Sequence, residues 1–190
     1  ISVAGGNLVI LLILTMFASL IIGLPLPPVT CYLILAILAA PAMIKMGVNP
    51  MAAHLFVFFF GILGNITPPV APTSFAAAGL AGSDPYKTTN LSFLISAPSY
   101  IIPFMFVYTP ELLLRGSVSV ILLRTLSSFL GISAMAIGLQ GFFIKDLNWF
   151  LRILIVIAGV FLVDPGLKTD LLGYGLMGII TLWQIYGKKE

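Results

Sequence analysis

Charge is what this sequence has least of. Of its 190 residues, 8% are charged and 60% are hydrophobic. Average soluble domains carry about 25% charged residues. A soluble fold of this size could not cover its surface with so few, whereas in lipid the apolar side chains face outward without cost. The single cysteine, Cys31, excludes an intrachain disulfide and a cysteine metal cluster. His54 is the one histidine. A net charge of +3 spread over loops suggests neither a nucleic-acid surface nor a polybasic lipid-binding patch. There are no paired acids, metal-ligand spacings, nucleophile elbows or phosphate loops. Asp84, Glu111, Asp146, Asp164 and Asp170 all fall in expected loops or at helix ends, where charge is cheap. An enzyme is therefore not expected.

What is there is a series of long apolar runs. No charge occurs from Ile1 to Ile44, or between Lys45 and Asp84. A bilayer-spanning helix needs about 20 mainly apolar residues. The expected class is an all-α integral membrane protein. Its first apolar arm, Asn7 to Ile22, stops at Gly23-Leu24-Pro25-Leu26-Pro27-Pro28, where three prolines remove donors and clash with preceding turns. Val29 to Met46 is the second arm and ends at the turn Gly47-Val48-Asn49-Pro50. The two arms either span separately or form a re-entrant hairpin. The chain begins with Ile, with no charged segment before the first arm, and reads as a fragment or an incomplete gene product rather than as a signal peptide.

Met51 to Leu63 is helical in pattern, Gly64-Asn65-Ile66-Thr67-Pro68-Pro69 breaks it, and Val70 to Leu80 resumes it with small residues suited to close packing in a membrane. These make one discontinuous helix. A polar loop is expected over Gly82–Lys87, then a span over Leu91–Tyr108 bent by Pro98 and Pro103. About three further spans are expected over residues 116–190: Ser117–Phe143, Trp149–Val163 and Leu171–Tyr186. Trp149, Trp183 and Tyr186 occupy positions typical of interfacial aromatics. Residues after about Arg115 have no comparable break and few polar groups within their apolar runs, and are expected to be peripheral to whatever function the breaks carry.

The breaks carry the chemistry. Unwound backbone at membrane depth is tolerated where it is buried in protein or lines a cavity. Secondary transporters use freed carbonyls to coordinate a cation and half-helix N-termini to attract an anionic substrate group. Here Thr67 adds a hydroxyl, Asn65 an amide, and Pro68-Pro69 prevent the helix from re-forming. Gly23, Leu26, Thr30, Gly64, Asn65, Thr67, Pro68 and Pro69 are the candidate ion and substrate residues. A proline kink with no ligand is the plainer alternative. His54 is expected to pack, not titrate, Cys31 to be a small core residue, and the run Phe56–Phe60 to face lipid or neighbouring helices.

From Phe60-Gly61-Ile62-Leu63-Gly64-Asn65-Ile66-Thr67-Pro68-Pro69-Val70-Ala71 through Phe75-Ala76-Ala77-Ala78-Gly79, the sequence resembles the large membrane subunit of tripartite ATP-independent periplasmic (TRAP) transporters. Pro103–Tyr108 and Asp164–Gly173 resemble the C-terminal part of the fused permeases of that family. The resemblance implies a sodium-coupled elevator-type importer of organic acids, fed by a periplasmic binding protein, in a bacterial or archaeal inner membrane. Residues 1–115 would be the C-terminal part of the transport core. Within it, 1–46 would be a re-entrant hairpin, 51–82 the broken helix and 91–109 a span. Sodium, held at Gly64, Asn65 and Thr67, would meet the substrate carboxylate where these breaks face a matching pair from an N-terminal repeat. The fused family carries two threonines just after the Leu-Pro of the hairpin tip. Here Pro28 and Val29 take those places, with Thr30 one position on.

With the hairpin opening to the periplasm, Lys87, Lys145, Arg152, Lys188 and Lys189 fall inside, with the C-terminus cytoplasmic. Lys45, Arg115, Lys168 and Arg124 fall outside. The bias has the sign of the positive-inside rule. Two other functions fit the composition: a non-transporting membrane scaffold, and a sodium- or proton-coupled anion symporter without a binding protein.

Overall fold

The apolar runs become helices whose starts are set by short polar residues. The computed structural model describes residues 3–186, and among them every regular element is helical. The chain divides into two compact units, Ile1–Leu113 and Leu114–Glu190.

The first unit holds α1 (Leu8–Gly23), α2 (Pro28–Leu38), α3 (Ala40–Lys45), α4 (Pro50–Leu63), α5 (Pro72–Ala81), α6 (Pro85–Ser96) and α7 (Ile102–Tyr108). The Asn7 side chain accepts from the Ile10 N–H at 3.2 Å, Asn49 from Met51 at 2.9 Å and Asp84 from Lys87 at 2.8 Å. Each satisfies an N–H that the first helical turn leaves without a partner. Pro50 and Pro85 follow two of these caps, where a missing N–H does no harm.

Three boundaries differ from the sequence reading. The second arm is interrupted at Ala39, because Pro41 has no N–H to give and crowds the preceding turn. The helix after the break resumes at Pro72, not Val70. Tyr86 and Lys87 belong to the first turn of α6 rather than to a loop, since Asp84 and Pro85 start the helix there. Pro98 converts the following segment to a 3-10 turn, Ala97–Tyr100, before α7.

Helix α4 is the centre of this unit. Helices α1, α2, α3 and α7 all pack on it. Phe56 and Phe60 are fully buried and meet the Phe104 ring edge-on at 5.1 and 5.7 Å, whereas Phe58 is exposed. Cys31 is a fully buried core residue. Helix α1 buries Thr15, Ser19 and Gly23 beside Leu11 and Leu12, and exposes Ile10, Ile13, Leu14, Phe17 and Ile21. Small and weakly polar residues inside, large apolar ones outside, is the pattern lipid selects.

The second unit is formed by α8 (Val118–Gln140), α9 (Trp149–Val163) and α10 (Leu167–Tyr186). Helix α9 packs on both others. Helix α8 buries Ser127, Ser128, Gly131, Ala134 and Gly138 and exposes Leu122, Leu126 and Phe129, again the lipid pattern. Trp149, Trp183 and Tyr186 are exposed. Polar groups within these helices are more numerous than the sequence reading allowed. Arg124 pairs with Asp170 at 2.8 Å, Ser127 with Tyr174 at 2.8 Å, and the Arg152 guanidinium donates to the Gly138 and Leu139 carbonyls. Asp170 lies in the first turn of α10 as a buried side chain, not as a cheap exposed charge.

Among the described residues, three helical stretches are long and apolar enough to cross a membrane: Pro28–Lys45, Pro85–Tyr108 and Val118–Gln140. Leu8–Gly23, Pro50–Ile66 and Trp149–Val163 are shorter apolar helices. Of the spans expected beyond residue 116, Val118–Gln140 meets both criteria. Trp149–Val163 is short, and Leu167–Tyr186 carries Lys168 and Asp170 in its first turn.

Candidate functional site

The two interrupted segments, distant in sequence, come together. Helix α4 gives way to a 3-10 turn at Gly64–Ile66, then to extended backbone at Thr67, and α5 starts only at Pro72. Around this break lie α1, α5 and α6. The C-terminal end of α1 presses directly on it. A Cβ on Gly64 would stand 2.7 Å from the Leu20 carbonyl oxygen and 2.9 Å from the Gly23 carbonyl carbon. A Cβ on Gly23 would collide with the Gly61 carbonyl oxygen. Both glycines are needed for this approach, because only hydrogen fits between the two backbones.

The break leaves particular atoms free. A helix would satisfy the Asn65 carbonyl from the residue three or four positions on, but those are Pro68 and Pro69, which have no N–H. The Gly64 carbonyl is taken by the Thr67 N–H at 3.2 Å. The Pro68–Pro69 peptide is cis, and Ala71 holds a left-handed conformation, φ 41°, uncommon for a residue with a Cβ. The Asn65 side-chain nitrogen is buried with no hydrogen-bond partner, and so is the Ser74 hydroxyl in the first turn of α5. A buried donor left unpaired costs about 1–3 kcal/mol, which a ligand oxygen would offset.

Thr67 is held from two sides. Its hydroxyl donates to the Leu63 carbonyl, one of the last of α4, at 2.5 Å, and lies 2.5 Å from the Tyr100 hydroxyl. Tyr100 was not singled out from the sequence. A tyrosine two positions before an apolar helix, closing a proline-induced turn, is the signal that could have found it. The other sequence candidates are spread out. Leu26 packs against the core of the first unit, and Thr30 is exposed near the start of α2. His54 accepts or donates at Nδ1 with the Tyr32 hydroxyl, 3.2 Å away, tying α4 to α2. Among the described residues no group of three or more His, Cys, Asp or Glu side chains could hold a metal ion.

No curated protein and no solved structure matches the chain. A family model, the DctM component of the tripartite ATP-independent periplasmic transporters, matches residues 1–121 and so takes in α1 to α7 and both breaks. With the exposed apolar faces, the candidate spans and the broken helix already in view, the chain belongs to that family: it is a multi-pass membrane component of a TRAP transporter, not an enzyme.

Proposed function

We propose that this chain carries part of the transport core of a sodium-coupled importer of organic acids such as dicarboxylates, of the fused-permease type. In this reading Leu8–Gly23 and Pro28–Lys45 are the arms of a re-entrant hairpin whose tip includes Gly23 and Leu26. The hairpin and the broken helix move together in an elevator motion, the substrate arrives from a periplasmic binding protein, and the C-terminus is cytoplasmic. A second pair of breaks elsewhere in the permease completes the site.

The observation that carries this reading is the meeting of two opposite helix ends at one break. The C-terminal end of α4 offers carbonyl oxygens and partial negative charge, and the N-terminal end of α5 offers N–H groups and partial positive charge. Sodium is a hard cation and prefers oxygen. The chain has no charged residue between Lys45 and Asp84. The Asn65 carbonyl, which Pro68 and Pro69 leave without a donor, the Gly64 carbonyl and the Thr67 hydroxyl are the oxygens at hand. The unpaired Asn65 amide nitrogen and Ser74 hydroxyl suit the carboxylate of the substrate beside that ion.

Thr67→Val keeps the side-chain shape and removes the oxygen. In the full-length permease it is expected to weaken sodium dependence of uptake by about 1–3 kcal/mol, with the protein still folded. Thr67→Ser should be much milder. Sodium titrations of substrate uptake measure both. An unchanged sodium dependence in Thr67→Val would reduce Thr67 to a helix-capping residue and the break to a kink.

A further inference from the structure

We propose that Tyr100 positions the Thr67 hydroxyl, so that Thr67 meets the break as an acceptor only; the proposal rests on the sodium reading above. A threonine hydroxyl has one proton and two lone pairs. The Leu63 carbonyl can only accept, so the Thr67 proton goes there, over 2.5 Å. The contact of 2.5 Å between Thr67 Oγ1 and the Tyr100 hydroxyl then needs the Tyr100 proton, and it occupies one Thr67 lone pair. One Thr67 lone pair remains, in a direction fixed by its two partners. An oxygen whose proton is already spent suits a cation and not an anion.

The Tyr100 ring is itself held. It stands 5.7 Å from Phe93 and 6.3 Å from Phe60, and the 3-10 turn caused by Pro98 sets its place on the chain. The hydroxyl thus links the segment Pro85–Tyr108 to the break in the preceding helix, 33 residues upstream. Without it, Thr67 keeps its bond to Leu63 but loses the second of the two partners that hold its side-chain rotamer. The oxygen is still present, with two open lone pairs in place of one and a less firmly held position.

The test is sodium-dependent uptake by the full-length permease with its binding protein, for Tyr100→Phe, Thr67→Val and the double variant. Phenylalanine retains the ring contacts with Phe60 and Phe93. Tyr100→Phe is expected to raise the half-saturating sodium concentration at least fivefold, with the maximal rate at saturating sodium close to that of the parent. Because Tyr100 acts through Thr67, the double variant should match Thr67→Val alone. The sodium-induced rise in melting temperature of the purified protein gives the same ordering without relying on transport. A Tyr100→Phe variant with parental sodium affinity, beside a shifted Thr67→Val, would overturn the positioning role alone. So would effects that multiply in the double variant. An unshifted Thr67→Val would instead overturn the sodium reading itself.

Discussion

Gly23→Ala should destabilise the permease by about 3 kcal/mol, at the upper end of what overpacking of a close-packed site usually costs. The reason is local. The added methyl would sit within the van der Waals radius of the Gly61 carbonyl oxygen, and its next neighbours are the Gly61 carbonyl carbon at 2.9 Å and Cα at 3.1 Å. All three are backbone atoms of α4, the helix on which the rest of the unit packs, so no side-chain rotation relieves the clash. The chain must then move α1 away from α4. That displaces Gly64 from Leu20 and Gly23, and the break loses its wall. Uptake should fall together with the melting temperature in detergent. Gly79→Ala is the control. It lies within α5 with nothing inside 4 Å of the added carbon, and the gain in helix propensity is about 0.5–1 kcal/mol. A parental melting temperature in Gly23→Ala would show that the two backbones are not in contact in the working protein.

The second large effect belongs to the C-terminal unit. Arg124 and Asp170 are 46 positions apart, join α8 to α10 through a 2.8 Å contact, and expose 14% and 5% of their side chains. Removing one partner of a buried pair leaves the other charge uncompensated, at a cost of about 3–5 kcal/mol. Asp170→Leu is expected to be the more damaging single change, because the remaining guanidinium cannot give up its proton. The double variant Arg124→Leu, Asp170→Leu should recover most of the loss, since replacing both charges with apolar side chains leaves nothing buried and unpaired. Thermal unfolding of the four proteins, followed by helical circular dichroism in detergent, measures the cycle. Additive losses would mean that the two residues do not interact. The Ser127–Tyr174 contact at 2.8 Å and the Gln184 amide oxygen, which accepts the Lys145 N–H at 2.9 Å, remain as further polar ties in this unit. A region with these ties is more than an apolar extension, which is how its sequence reads.

Much of the fold could be read without coordinates because its signals are local. Asn7, Asn49-Pro50 and Asn148 announce helix starts, since a capping side chain acts on N–H groups two or three residues away, and Asp84-Pro85 carries the same signal, which the reading of Gly82–Lys87 as a loop passed over. Gly23–Pro28 and Gly64–Pro69 announce interruptions, since proline removes a donor wherever it stands. The low charge announces lipid, and the Thr-Pro-Pro stretch carried the resemblance that the family match confirms over residues 1–121. Even the error at Val70 was local: Pro72 is a better helix start than Val70, and this is visible in the sequence.

The rest depends on neighbours distant along the chain, and no periodicity reveals those. Composition could say that Thr67 had a hydroxyl to offer, but not that Leu63 and Tyr100 already hold it from two sides. It could place Gly23 and Gly64 at breaks, but not bring the end of α1 against the end of α4, which requires both arms to pack on one central helix. It counted Asp170 as a helix-end charge, and helix-end it is, yet its burial comes from Arg124 on another helix. The inner face of α1, where Thr15 and Ser19 lie beside Leu11 and Leu12 while Phe17 is outside, was hidden as well. In water, burial sorts residues by polarity, so the sequence shows which face is inside. In lipid both faces are apolar, and close packing of small residues chooses the inner one. That choice is made by the neighbouring helix, and only the tertiary structure contains it.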